Sequence, residues 1–97
     1  MAVNVISTTK APGAVGPYSQ GIKAGDFLFA SGQIAINPEK GKIVSGGVVE
    51  QAEQCMKNVG AILEEAGLTY DDVVKTTVYL TDINFFGVVN EVYGNYF

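Results

Sequence analysis

Between Val48 and Ala66, apolar residues recur at Val48, Val49, Ala52, Cys55, Met56, Val59, Ile62, Leu63 and Ala66. Spacings of three and four place them on one stripe of an α-helix. The other side carries Glu50, Gln51, Glu53, Gln54, Lys57, Glu64 and Glu65. A helix with one such stripe must lay it on a sheet or another helix, so it dictates what its neighbours do. Glu53 and Lys57 are four apart, which predicts an ion pair worth about 0.3 kcal/mol. Gly67 stands where a left-handed C-cap belongs. Gly60 lies inside the helix at a cost of about 1 kcal/mol against alanine, so it either permits close packing on a sheet or is simply tolerated.

The flanking segments read as strands and turns. Val3 to Ser7 is β-branched and predicts a first, edge strand, while the Ala-Pro-Gly-Ala run within Thr8 to Gly16 is a connector. Gly21 to Ala24, a Gly25-Asp26 turn and Phe27 to Ile36 predict a β-hairpin. Asn37 to Lys42 is a solvent-facing loop by composition, with a short strand at Ile43-Val44. After the long helix, Val73 to Thr81 alternates. Val74, Thr76, Val78 and Leu80 form a face expected to meet that helix, and Lys75, Thr77, Tyr79 and Thr81 form one suited to a cavity, a subunit seam or solvent. Asp82 or Asn84 can cap a second helix from about Phe85, whose buried side comprises Val88, Val89, Val92, Tyr93 and Tyr96. The chain is one α+β domain over residues 1–97, with fewer strands than two helices need as sheet partners.

Composition narrows the chemistry. The net charge is −4 and all six basic residues are lysines, scattered apart from Lys40 and Lys42. There is no basic stripe for nucleic acid. Histidine and arginine are absent and Cys55 is the lone cysteine. Zinc or haem sites and histidine-dependent nucleophilic catalysis therefore have no residues to build them. No signal peptide or membrane span is evident, and a single cysteine fits a reducing compartment, so the expected location is cytoplasmic. A hydrophobic fraction of 47% in 97 residues is high for a small monomer, which predicts apolar surface buried against another subunit.

Four residues stand out as ligand contacts. Tyr18 is the one large side chain in the polar turn Gly16-Pro17-Tyr18-Ser19-Gln20-Gly21; it either packs locally or closes a phenol over a small polar ligand. Ser31-Gly32 ends the Phe27 strand, where a missing Cβ would let a ligand reach the main chain. Asn90 interrupts the aliphatic set Val88, Val89 and Val92, so it lies on the surface or needs partners that a ligand can supply. Cys55 reads as a core residue, and the glutamates of the long helix as a solvated face.

Taken together, Pro12, Gly16 to Gly21, Ser31-Gly32-Gln33-Ile34, Asn58 with Leu63 to Gly67, Val74 to Leu80, and Val89-Asn90-Glu91-Val92-Tyr93 closely resemble the reactive-intermediate deaminase A family, also called YjgF/YER057c/UK114. The resemblance spans essentially the whole chain. It implies a chorismate-mutase-like α+β fold, a mixed sheet with two helices packed on one face, assembled as a homotrimer with ligand clefts between subunits. It implies hydrolysis of 2-iminobutanoate and 2-iminopropanoate to 2-oxo acids and ammonia, with no metal or organic cofactor; the charge pattern and the lack of a long apolar stretch predict no nucleic-acid or membrane partner. By the same resemblance Tyr18, Ser31, Gly32 and Asn90 are substrate-binding residues, and no catalytic residue is assigned. The family's C-terminal part, a segment whose arginine clamps the substrate carboxylate followed by two strands, the last with a glutamate that orients or activates water, is expected to be missing from these 97 residues. A non-catalytic trimeric small-acid-binding or regulatory protein using the same cleft is the alternative.

Overall fold

A computed structural model describes residues 3–97. Three strands form one antiparallel meander in the order β1 (Val3–Ile6), β2 (Gly21–Ala24) and β3 (Phe27–Ala30). Gly25-Asp26 alone joins β2 to β3, with Gly25 at φ +60°. Glycine at the first central position suits a two-residue hairpin whose twist matches its strands. The register sets Val3, Ala24 and Phe27 in one row and Val5, Ile22 and Phe29 in the next row on the same face.

β3 is shorter than the predicted Phe27 to Ile36. Ser31 gives the last amide hydrogen bond, to the Gln20 carbonyl at 3.0 Å, and the chain then leaves the sheet. It tightens where the Ile36 amide donates to the Ile34 carbonyl at 2.9 Å. A separate two-stranded ladder follows, β4 (Ile36–Asn37) with β5 (Lys42–Ile43), so the loop expected over Asn37 to Lys42 shortens to residues 38–41 and the strand expected at Ile43-Val44 starts one residue earlier.

The long helix, α1, runs Val48–Glu65. At its start the Gly47 amide donates to the Glu50 carboxylate at 2.7 Å, satisfying one of the orphan donors there. At its end Gly67 takes φ +76°, its amide bonds the Glu64 carbonyl at 2.9 Å, and the Leu68 amide bonds the Leu63 carbonyl at 2.8 Å. That pair of bonds is the Schellman motif, and the cap predicted at Gly67 forms. Ile62 is fully buried, and Met56 and Leu63 nearly so. A Cβ on Gly21 would stand 3.2 Å from Ile62 Cγ2, so β2 presses its backbone onto this helix. Cys55 is half-buried and unpaired, and burial raises its thiol pKa, as suits a packing residue.

The predicted Glu53–Lys57 ion pair is absent among the described residues; the one ion pair there joins the exposed Lys10 and Glu64 at 3.6 Å. Glu53 instead accepts a hydrogen bond of 2.5 Å from the Tyr96 hydroxyl. That bond, followed by partial burial, pushes the Tyr96 phenol up to about 12. The folded value exceeds the unfolded one. The stabilisation is therefore complete below the ordinary tyrosine range, around 10, and disappears as pH rises through about 12. An ultraviolet tyrosinate titration should show one of the five phenols titrating last, and Tyr96→Phe should remove that step. A titration complete by the ordinary range in the parent chain would contradict the contact.

The predicted strand from Val73 to Thr81 has no ladder. Residues 73–80 pair with no other strand among those described, and Val74 and Tyr79 are almost fully exposed. An alternating segment becomes a strand only when a neighbour takes its amides and carbonyls. Thr76, Val78 and Leu80, expected to face α1, line a recess. They lie across it from the second helix, α2 (Phe86–Gly94). Asp82 caps the single 3-10 turn before α2, accepting from the Asn84 amide at 2.9 Å. Val89 and Val92 are buried, whereas Val88 is 40% exposed and lies off the buried side predicted for it. α2 packs beside α1, which completes an α+β arrangement with its helices on one side of the strands.

The other face of the meander is bare. Val3, Val5, Phe27 and Phe29 are each more than half exposed, and the two phenyl rings lie 6.4 Å apart. Part of the exposed apolar content is thus gathered on one face of the sheet, and more of it, such as Val74, Tyr79 and Ile83, lies elsewhere.

Candidate functional site

The turn between β1 and β2 and the exit from β3 meet at a recess of about 50 Å³. One wall is Pro12, Val15 and Tyr18; the other is Gly32, Ile34 and Ile36. The volume holds a few waters, far below the space a drug-sized molecule needs. Pro17 shapes the first wall: the Tyr18 amide turns back to the Gly16 carbonyl at 2.8 Å, a three-residue turn compatible with the φ that proline imposes. The Tyr18 ring is half exposed, and its hydroxyl accepts weakly from the Val15 amide at 3.4 Å.

Gly32 stands at the mouth of the second wall, and a Cβ built on it would meet nothing within 4 Å. A glycine that no neighbour requires leaves its main chain open to a ligand. Ser31, beside it, is already engaged. Its hydroxyl donates to the Ser19 carbonyl at 2.6 Å, tying the end of β3 to the Tyr18 turn. The oxygen retains acceptor capacity, but its proton is committed.

Asn90 lies elsewhere in the chain. It is exposed on α2 and lines the second recess, about 120 Å³, with Thr76, Val78, Leu80 and Tyr93. Tyr18 and Gly32 thus share one recess, Ser31 braces it, and Asn90 belongs to another.

Two further residues hold the first recess together. Gln20 is 5% exposed and Asn58 is fully buried. The carboxamide of Gln20 bonds the Thr8 to Pro12 connector, and that of Asn58 bonds the carbonyls of Ile34 and Ile36. Asn58 carries a signal in the sequence: it follows Cys55 by three and precedes Ile62 by four, a polar residue on the apolar stripe. Gln20 carries none beyond its place in the turn. Among the described residues, no buried side-chain nitrogen or oxygen lacks a partner, and no group of three or more His, Cys, Asp or Glu could hold a metal ion.

The family model described as Endoribonuclease L-PSP matches residues 8–97. The chain is 57% identical to a RutC family protein of Pyrococcus abyssi, covering 100% of this chain and 76% of that one. It is 56% identical to the 2-iminobutanoate/2-iminopropanoate deaminase of Homo sapiens, over 96% of this chain and 68% of the human protein. The crystal structure of E. coli TdcF with bound serine superposes with a TM-score of 0.93 at 46% identity, covering 97% of this chain and 73% of that one. A likeness this high over nearly every residue extends from the recess to both helices. This chain belongs to the YjgF/YER057c/UK114 (RidA) family of reactive-intermediate deaminases.

Proposed function

We propose that the chain hydrolyses reactive 2-imino acids, 2-iminobutanoate and 2-iminopropanoate, to the 2-oxo acids and ammonia. The observation that carries this reading is the 56% identity with the human enzyme of that name across 93 residues. In the reaction water adds across the C=N bond to give a carbinolamine, which releases ammonia as its C–N bond breaks. Gly32 offers unobstructed main chain, Tyr18 offers a phenol, and Ser31 holds the two segments together. No side chain of the protomer is assigned as acid or base.

The binding site is completed by other copies of the chain. The bare face of Val3, Val5, Phe27 and Phe29 packs in a homotrimer, and Asn90 contributes from its separate recess to a cleft shared between subunits. The location is cytoplasmic; among the described residues no helix is long and apolar enough to cross a membrane. Although the matched family model is described by an endoribonuclease, the chain has a net charge of −4 and its six lysines are scattered, which argues against a stripe that tracks a phosphate backbone. The alternative, a non-catalytic small-acid binder, draws on the E. coli relative crystallised with serine.

The reaction tests the proposal. A threonine dehydratase and threonine generate 2-iminobutanoate, and semicarbazide traps what survives. The chain should lower the semicarbazone formed early in the reaction. Saturable 2-oxobutanoate binding with unchanged imine decay would instead establish the non-catalytic reading.

A further inference from the structure

We propose that Gln20 and Asn58 are positioning residues that set the separation of the recess's two walls, each by spending a buried carboxamide on backbone that no ladder holds. Residues 7–20 and 31–35 belong to no helix or strand, yet with Ile36 at the start of β4 they form the walls. Irregular backbone of this kind ordinarily relies on water for its polar groups and moves accordingly. Here side chains replace the water.

Gln20 grips the first wall. Its Oε1 accepts from the Thr8 amide at 2.6 Å, while its Nε2 donates to the carbonyls of Pro12 at 2.7 Å, Thr8 at 3.0 Å and Ala11 at 3.3 Å. Asn58 grips the second wall from α1. Its Nδ2 donates to the Ile34 and Ile36 carbonyls, both at 3.0 Å, and its Oδ1 accepts from Gln54 Nε2 at 2.9 Å. The partners fix the orientation of each amide, because carbonyls require the NH₂ end. Both Asn58 hydrogens are used, so no aliphatic side chain of the same size can substitute. The Gln20 carbonyl also receives the Ser31 amide, which links the two braces through the end of β3. A recess held this way keeps its shape before a ligand arrives, and placement within it is worth far more to a reaction than one added contact. The kinetic part of this inference rests on the recess being the substrate site.

The test reads wall separation and turnover in the full chain. Spin labels at cysteines replacing Ala14 and Ile34, both exposed, report the distance across the recess in a Cys55→Ala background. Asn58→Leu and Gln20→Met should each broaden that distribution and move it outward while helix content is kept. Gln54→Ala, which removes only the bond to Asn58 Oδ1 from a half-buried position, should broaden it less and serves if the first two fail to fold. In unlabelled protein, KM for the imine should rise by about tenfold or more with a smaller change in kcat. An unchanged distribution in folded variants would overturn the proposal, as would a broadened one with unchanged KM. A parent without imine turnover would count against the proposed reaction, and the distance distributions would still decide whether the amides hold the walls.

Discussion

Replacing Gly60 with alanine should destabilise the protein, although alanine is the better helix former by about 1 kcal/mol. A Cβ at position 60 would stand 2.1 Å from the Tyr70 hydroxyl and 2.8 Å from its Cζ. Neither approach is sterically possible. Tyr70 lies in the groove that the missing side chain leaves, donates to the Met56 carbonyl at 2.6 Å, and packs against Tyr96 and, edge-on, Phe97 at centroid distances of 5.2 and 5.7 Å. Ejecting the ring forfeits a hydrogen bond worth about 1 kcal/mol and aromatic contacts worth about 0.5–1.5 kcal/mol each. After the gain in helix propensity, the net loss should be about 1–3 kcal/mol. In a Tyr70→Ala background the obstacle is gone, so Gly60→Ala should stabilise by about 1 kcal/mol. Urea unfolding of the four proteins reads this reversal of sign directly. Equal effects in both backgrounds would mean that Gly60 does not serve Tyr70.

Charging the bare sheet face should abolish self-association. Phe27→Glu with Phe29→Glu places two carboxylates on side chains 64% and 65% exposed in the protomer, so the single copy should keep its fold. In the proposed trimer the same positions are buried. Covering each phenyl contributes about 1.5–3 kcal/mol, and an unpaired carboxylate there costs several kcal/mol instead. Sedimentation should show trimers for the parent chain and monomers for the variant, with imine turnover lost if copies share the cleft as proposed. An unchanged sedimentation coefficient would remove this face from the interface.

Much of this architecture can be read from local chemistry. The α1 stripe, the cap at Gly67 and the two-residue turn at Gly25-Asp26 depend on residues within one or two turns of each other, and each forms where the pattern places it. The failures involve distant partners. Val73 to Thr81 has the alternation of a strand, but alternation describes faces and cannot supply a neighbour for the backbone. Glu53 satisfies the spacing rule with Lys57 yet turns to Tyr96, 43 residues away. A surface pair worth a few tenths of a kcal/mol is easily outcompeted by a hydrogen bond to a carboxylate. The site divides in the same way. Tyr18 and Gly32 announce themselves by residue type in a turn and at a strand end, and they do share a recess. The amide of Gln20 acts across eight to twelve residues and that of Asn58 across more than twenty, so residue type alone gives neither a target.

The most direct measurement sets the parent chain beside Gly32→Val in the semicarbazide trap. Position 32 faces open space, so the variant should fold with unchanged helix content while its side chain occupies the mouth of the recess. The parent should lower the trapped 2-iminobutanoate, and Gly32→Val should lose most of that effect. Equal semicarbazone with and without the parent chain would contradict the imine-hydrolase account. Equal activity of parent and variant would contradict its location at Gly32.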